Sequence, residues 1–414
     1  MKRICGRAVC VFAVFTALVS AQSLLSGDMA AKVDRALAQG IRGDVLKCSV
    51  KPIRPFLDFA FRFNAGFVAS CPVKEFGGQE SSLIAYLRIT PQGRPPVVLA
   101  QGYRLPAIPP PLAKHMEVKR LKTEFETSGA FVLGEGQFTV DLLLVDNRSR
   151  IYQKQWAMEA RRTRSERSVP LAVPANTAAA FPVSSWSGKP GGSHASGSRL
   201  TILLDAAPIN PYAIKLRAWD RSFLLGALSS LLRETPAEDV RLIAFNLDQQ
   251  REIFHQDHFN ADGFAKLSRT LENLELGTVS YKALQKGGWA ELLARLVNQE
   301  ISRPDPSGSV VFLGPSTRTI DKIPPTMLLP RKSDSPQFFY LEYFPVWRGG
   351  SEFPDAIHHA TNACKGTVLK IHSPGEFAEA MRKVNERMQV SATETEPLQS
   401  WQLVNNRVNF GPKP

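Results

Sequence analysis

Two histidines flank a carboxylate in His255-Gln256-Asp257-His258, a grouping that could hold a hydrolytic metal ion. Zinc hydrolases, however, place their histidine pair four apart on a helix, with a glutamate as the base. Here the histidines are three apart, that glutamate is missing, and the stretch falls at the end of an expected strand. A solvated loop is the favoured reading, with a metal-dependent hydrolase built on His255, Asp257 and His258 kept as the alternative. His358 and His359 are adjacent on an expected helix, so their rings point apart and do not chelate together. No Gly-x-Ser-x-Gly elbow offers a serine nucleophile, and no Gly-x-Gly-x-x-Gly or phosphate loop follows Asp205. Gly134-Glu135-Gly136 reads as a turn. No catalytic residue, cofactor-binding residue or cofactor is expected.

A second set of residues lies where open α/β sheets bind ligands, beyond the carboxyl ends of the strands. Asp205 ends an apolar run, Gly277-Thr278-Val279-Ser280 forms a loop before a helix, and Leu313-Gly314-Pro315 closes another strand.

The elements that must position these residues follow from hydrophobic period. Arg199 to Asp205 and Ser309 to Leu313 are short, almost wholly apolar runs of the kind buried on both faces of a parallel sheet. Val240 to Asn246, Phe338 to Phe344 and Thr367 to Ile371 complete the set, with Arg251 to His255 beside the second of these strands. Trp219 to Arg233, Ala261 to Leu271, Trp289 to Ile301, Asp355 to Cys364 and Gly375 to Met388 read as helices. This alternation predicts a doubly wound, mostly parallel α/β domain over 199–390. Residues 45–162 instead carry short runs of period two: Leu57 to Phe63, Ser82 to Thr90, Gln137 to Asp146 and Ile151 to Ala160. They predict an all-β, sandwich-like domain, with Met29 to Gln39 as a helix before it. Residues 163–198, with the Ser- and Gly-rich Ser184 to Ser198, read as a flexible linker, and 391–414 as a polar tail.

In its order of elements, from Asp205 through the Gly277-Thr278 loop to the last strand-helix pair, the region 199–390 resembles the von Willebrand factor A-type (VWA) family. The exported β-rich segment ahead of it is similar to a bacterial, VWA-related subgroup. The resemblance implies a Rossmann-like fold and a Mg²⁺ ion held by an Asp-x-Ser-x-Ser motif, a loop threonine and a fourth-strand aspartate. Asp205 and Thr278 are the residual matches to that motif. Ala207 and Ile209 stand where the serines belong, and Gly314 and Pro315 where the aspartate belongs. Neither side chain at 207 and 209 has an oxygen to offer a hard cation, so no metal site is expected. Asp205 is expected to hydrogen-bond the Thr278 loop or cap a neighbouring helix.

The first 21 residues carry Lys2, Arg3 and Arg7, then the apolar run Ala8 to Val19 and the small residues Ser20 and Ala21. They read as a cleavable secretory signal peptide, too short in its apolar part to span a bilayer. Its removal lowers the formal charge from +13 by three to +10. The remaining basic residues are dispersed and not interleaved with aromatics, which argues against a nucleic-acid partner. Three cysteines remain, of which Cys48 and Cys71 are the plausible disulfide pair in an oxidising compartment. Together these readings predict a secreted or periplasmic, non-enzymatic protein with an adhesion- or scaffold-like role. A protein partner is expected, with an envelope polymer as a further alternative and no membrane span after cleavage.

Overall fold

In a computed structural model the structure describes residues 22–39, 44–107, 123–181, 186, 199–210, 213–276, 288–305, 307–332, 335–344 and 353–394. The chain is a mixed α/β protein with several sheets. It divides into two compact units. One takes in Met1–Leu57, Arg62–Arg162 and Leu171–Pro182, and the other Asp58–Phe61, Thr163–Pro170 and Val183–Pro414.

Among its described residues the first unit contains nine strands: β1 (Ser23–Leu24), β2 (Ser49–Leu57), β3 (Phe63–Pro72), β4 (Ser81–Pro91), β5 (Val97–Leu105), β6 (Glu124–Leu133), β7 (Gly136–Asp146), β8 (Ile151–Ala160) and β9 (Ala178–Ala180). They form a five-stranded sheet, β1-β5-β4-β7-β8, and a four-stranded sheet, β2-β3-β6-β9. All pairings in both are antiparallel. Leu83, Ala85, Leu87 and Ile89 of β4 are buried at period two, as the sequence pattern requires. Helix α1 (Gly27–Gln39) buries Val33 and Leu37 against Val98 and Leu143. Cys48 and Cys71 are joined in a disulfide.

Two expectations change here. Leu57 to Phe63 is not one strand: Asp58 accepts hydrogen bonds from the Ala60 amide on its side chain and the Phe61 amide on its carbonyl. Phe61 takes a φ of 60°, so the chain reverses between β2 and β3 while Phe59 and Phe61 stay buried. The stretch 163–198 is not uniformly linker-like. Ala178–Ala180 pairs with Phe131–Leu133, and Trp186 is only 7% exposed, stacked on Phe259.

The second unit holds β10 (Arg199–Asp205), β11 (Asp239–Asn246), β12 (Arg251–Gln256), β13 (Ser309–Pro315), β14 (Gln337–Tyr343) and β15 (Thr367–Ile371). Their order across the sheet is β12-β11-β10-β13-β14-β15, parallel throughout except for the antiparallel edge strand β12. The first strand is therefore central, with its carboxyl end flanked by those of β11 and β13. The helices are α2 (Ala218–Glu234), α3 (Ala261–Glu272), α4 (Gly288–Ser302), α5 (Ala356–Ala363) and α6 (Pro374–Glu394). Residues from α4 and α5 pack with Leu203, Phe245, Phe312 and Tyr340 on one face. The alternate residues Ile202, Leu204, Val311 and Leu313 are buried as well, so both faces are covered. The last helix runs to Glu394, six residues past the expected end at Met388 and into the region read as tail.

Candidate functional site

Asp205 is the last residue of β10 and only 1% exposed. It is held there by a close approach of two backbones: a Cβ added at Gly314, at the end of β13, would lie 2.7 Å from its own Cβ. Among the described residues, neither carboxylate oxygen of Asp205 has a hydrogen-bond partner. Among the described residues the expected helix cap is therefore not made, and amides at the strand ends serve other acids. Ile209 donates its amide to Asp220, and Thr317 and His358 donate theirs to Asp355. Burial drives the Asp205 carboxyl well above the usual carboxylate range, and the negative charges of Asp355 and Asp248 push it further. Thr278 itself lies outside the described residues.

Asp355 supplies the organising contacts. It is the N-cap of α5 and accepts from the amides of Thr317 (2.7 Å) and His358 (2.8 Å) and from the Tyr340 hydroxyl (3.0 Å). Tyr340 also reaches the carbonyl of Pro315 at 3.2 Å. Burial raises the Asp355 carboxyl even against these three donors. Glu342, two residues along β14 from Tyr340, is also buried. Desolvation, then the Asp355 charge, push its carboxyl up to about 7. The Lys370 charge and a hydrogen bond from the Ser316 side chain pull it partly back.

Above Asp205 lies a cavity of about 10 Å³, lined among others by Ala207, Pro208, Asn246, Asp248, Ser316 and Arg318. That is about the room of one water molecule. Arg318 pairs with Asp248 at 2.6 Å. Among the described residues, no group of three or more His, Cys, Asp or Glu side chains is arranged to hold a metal ion.

No family model matches the chain, and no curated protein does. Among solved structures, the ApaA protein of Bordetella pertussis shares 15% identity over 30% of this chain and 100% of its own, with a TM-score of 0.19. The β-glucuronidase of Bacteroides uniformis shares 9% over 73% of this chain and 36% of its own, also with a TM-score of 0.19. Likenesses at that score carry no argument about fold or activity.

The histidine candidates are not drawn together. His255 stands 3.8 Å from Glu252 and 3.7 Å from Asp257, whereas His258 turns to Asp239 at 2.8 Å. Asp257 is further engaged by Arg241 at 3.2 Å and Arg303 at 3.9 Å. His358 and His359 sit side by side with rings 6.2 Å apart, and burial lowers the His358 imidazole.

The carboxyl end of the sheet also exposes apolar side chains. Ile214 is 72%, Ile320 56% and Phe353 68% exposed. Two of their loops are tied by backbone bonds: Ala356 donates its amide to the Thr319 carbonyl, and Leu276 donates its amide to the Ile214 carbonyl. Of the site residues, the sequence pointed to Asp205 alone. Glu342 was signalled by being a charge inside the apolar run Phe338 to Phe344, and Asp355 by standing just before a helix. Asp248 and Ser316 carry no comparable mark.

Proposed function

We propose that this chain is an exported, non-enzymatic interaction protein. Its second unit is a doubly wound, VWA-like domain that recognises a protein partner through the loops at the carboxyl end of the sheet, without a bridging cation. The observation that carries the reading is the exposed apolar set Ile214, Ile320 and Phe353, each on a segment that follows the carboxyl end of a strand, β10, β13 and β14 in turn. Exposed apolar side chains on the loops at one end of a sheet support a protein-binding surface there if they form one patch. The strand order, with the first strand central and the run reversing beside it, supports the doubly wound part of the reading. The two antiparallel sheets of the first unit support a sandwich-like domain there. Export rests on the character of residues 1–21.

The test pairs calorimetry with capture from the cell's own envelope fraction. Mg²⁺ and Mn²⁺ are expected to show no binding tighter than about 100 μM, the weak end of cation sites. The double variant Ile320→Asp, Phe353→Asp is expected to lose a partner that the unaltered chain retains in chelator. Cation binding that vanishes in Asp205→Ala, or a partner released by chelator, overturns the reading.

A further inference from the structure

The leader-like segment ends at Ala21, so its removal leaves Gln22 as the first residue, with a free α-amine. The fold holds that residue firmly. β1 begins directly after it, pairing Ser23 with Ala100 and Leu24 with Leu99, and the Leu25 amide donates to the Val98 carbonyl at 2.9 Å. The Gln22 side chain turns to the end of β9, where the Phe181 amide donates to Gln22 Oε1 at 2.8 Å. Among the described residues, Nε2 of the same side chain is buried with no acceptor. All of these residues belong to the first unit.

The α-amine and Cδ of a glutamine are separated by three carbons, so joining them closes a five-membered ring. Negative charge gathers on Oε1 as the amine adds to Cδ. A backbone N–H already at hydrogen-bond distance from that oxygen is the kind of donor that stabilises such acyl transfers. We propose that Gln22 is a modification site that closes to pyroglutamate once the leader is removed, with the Phe181 amide stabilising the charge on Oε1. This rests on the export reading above. In the step the N–Cδ bond forms, the Cδ–Nε2 bond breaks and its electron pair leaves with Nε2. One proton passes from the amine to that nitrogen, so ammonia departs and no co-reactant is needed. The lactam carbonyl keeps an acceptor for Phe181, and the buried donor without an acceptor, an unfavourable group in any fold, is gone. The new terminus has no amine from which an aminopeptidase could start.

The test frees the folded chain from a fusion with a protease that cuts just ahead of Gln22. Mass spectrometry then follows the N-terminal peptide at about pH 8, where roughly half of an α-amine population is neutral. Loss of one ammonia is expected, about tenfold faster in the folded chain than in a synthetic peptide of residues 22–31, which lacks the Phe181 amide. Phe181→Pro, which removes that N–H, should slow the folded chain to the rate of the peptide. The unaltered chain held in urea should show the same slow rate, whether or not the proline variant folds. Gln22→Asn, whose closure would need a four-membered ring, should keep its amine. A folded chain that cyclises no faster than the peptide overturns the proposal, and so does equally fast ammonia loss from Gln22→Asn. The full chain, leader included, is also recovered from an exporting host. A terminus elsewhere than residue 22 overturns both this proposal and the expected cut. A free Gln22 amine at the expected cut, after the time in which the folded chain should convert, overturns this proposal alone.

Discussion

Tyr340 donates its hydroxyl to Asp355 at 3.0 Å, joining the middle of β14 to the N-cap of α5 inside the second unit. Both residues are buried, so this bond fixes the first turn of the helix on the sheet. Through the Thr317 amide, the same carboxylate also fixes the loop that carries Ser316, Arg318 and Ile320. The geometry of the whole sheet edge thus depends on one carboxylate with three donors.

Tyr340→Phe removes one of those donors without opening a large hole. A buried hydrogen bond to a charged acceptor is worth about 1.5–3 kcal/mol, and Asp355 keeps its two amide donors. A loss of about 2 kcal/mol is therefore expected in urea unfolding, with an unchanged slope. A loss below about 0.5 kcal/mol, the usual range for a substitution that breaks no buried bond, would show that the Tyr340 contact does not hold the helix.

Glu342 makes stability depend on pH in a direction opposite to that of an ordinary salt-bridged acid. Burial and the Asp355 charge raise its carboxyl in the folded chain from 4.5 to about 7. Between those values the folded chain holds a proton that the unfolded chain has released, so raising the pH favours unfolding. The contribution is full below about pH 4.5 and gone above about pH 7, an upper bound of about 3 kcal/mol across the window. Asp205, raised by burial, acts in the same direction. Glu342→Gln is expected to flatten the fall in Tm between pH 5 and 7.5. An unaltered slope in that variant would remove Glu342 as its source.

The strands and helices of the second unit were legible because fully buried parallel strands read as unbroken apolar runs, as in Ser-Val-Val-Phe-Leu at 309–313. The reversal at Asp58 was not, since Phe59 and Phe61 keep the alternation of a strand while the Asp58 side chain caps a turn. Cys48 and Cys71 were legible as a pair because only one other cysteine follows the leader-like segment. The acidic cluster was the hardest part. Asp205, Asp248, Glu342 and Asp355 are spread over 150 residues of sequence, and only the parallel register of β10, β11, β13 and β14 brings their strand ends to one edge. No spacing rule along the chain encodes that.

Gly314 is where the register of the central strands meets the site. An alanine there would bring its Cβ to 2.7 Å from the Cβ of Asp205 and 3.1 Å from its carbonyl oxygen. Neither atom belongs to a flexible side-chain end, so β10 and β13 must separate at their carboxyl ends. Overpacking of this kind costs about 1–3 kcal/mol, and the displaced Asp205 should carry the cavity wall with it. Gly308, just before the same strand, is the control: its nearest neighbour to an added Cβ is the Arg199 carbonyl at 3.8 Å. Gly314→Ala is expected to lower the urea midpoint and Gly308→Ala to leave it within about 0.5 kcal/mol of the unaltered chain, as surface substitutions do. Equal effects from the two alanines would mean that the approach of β13 to Asp205 is not the constraint that holds this edge together.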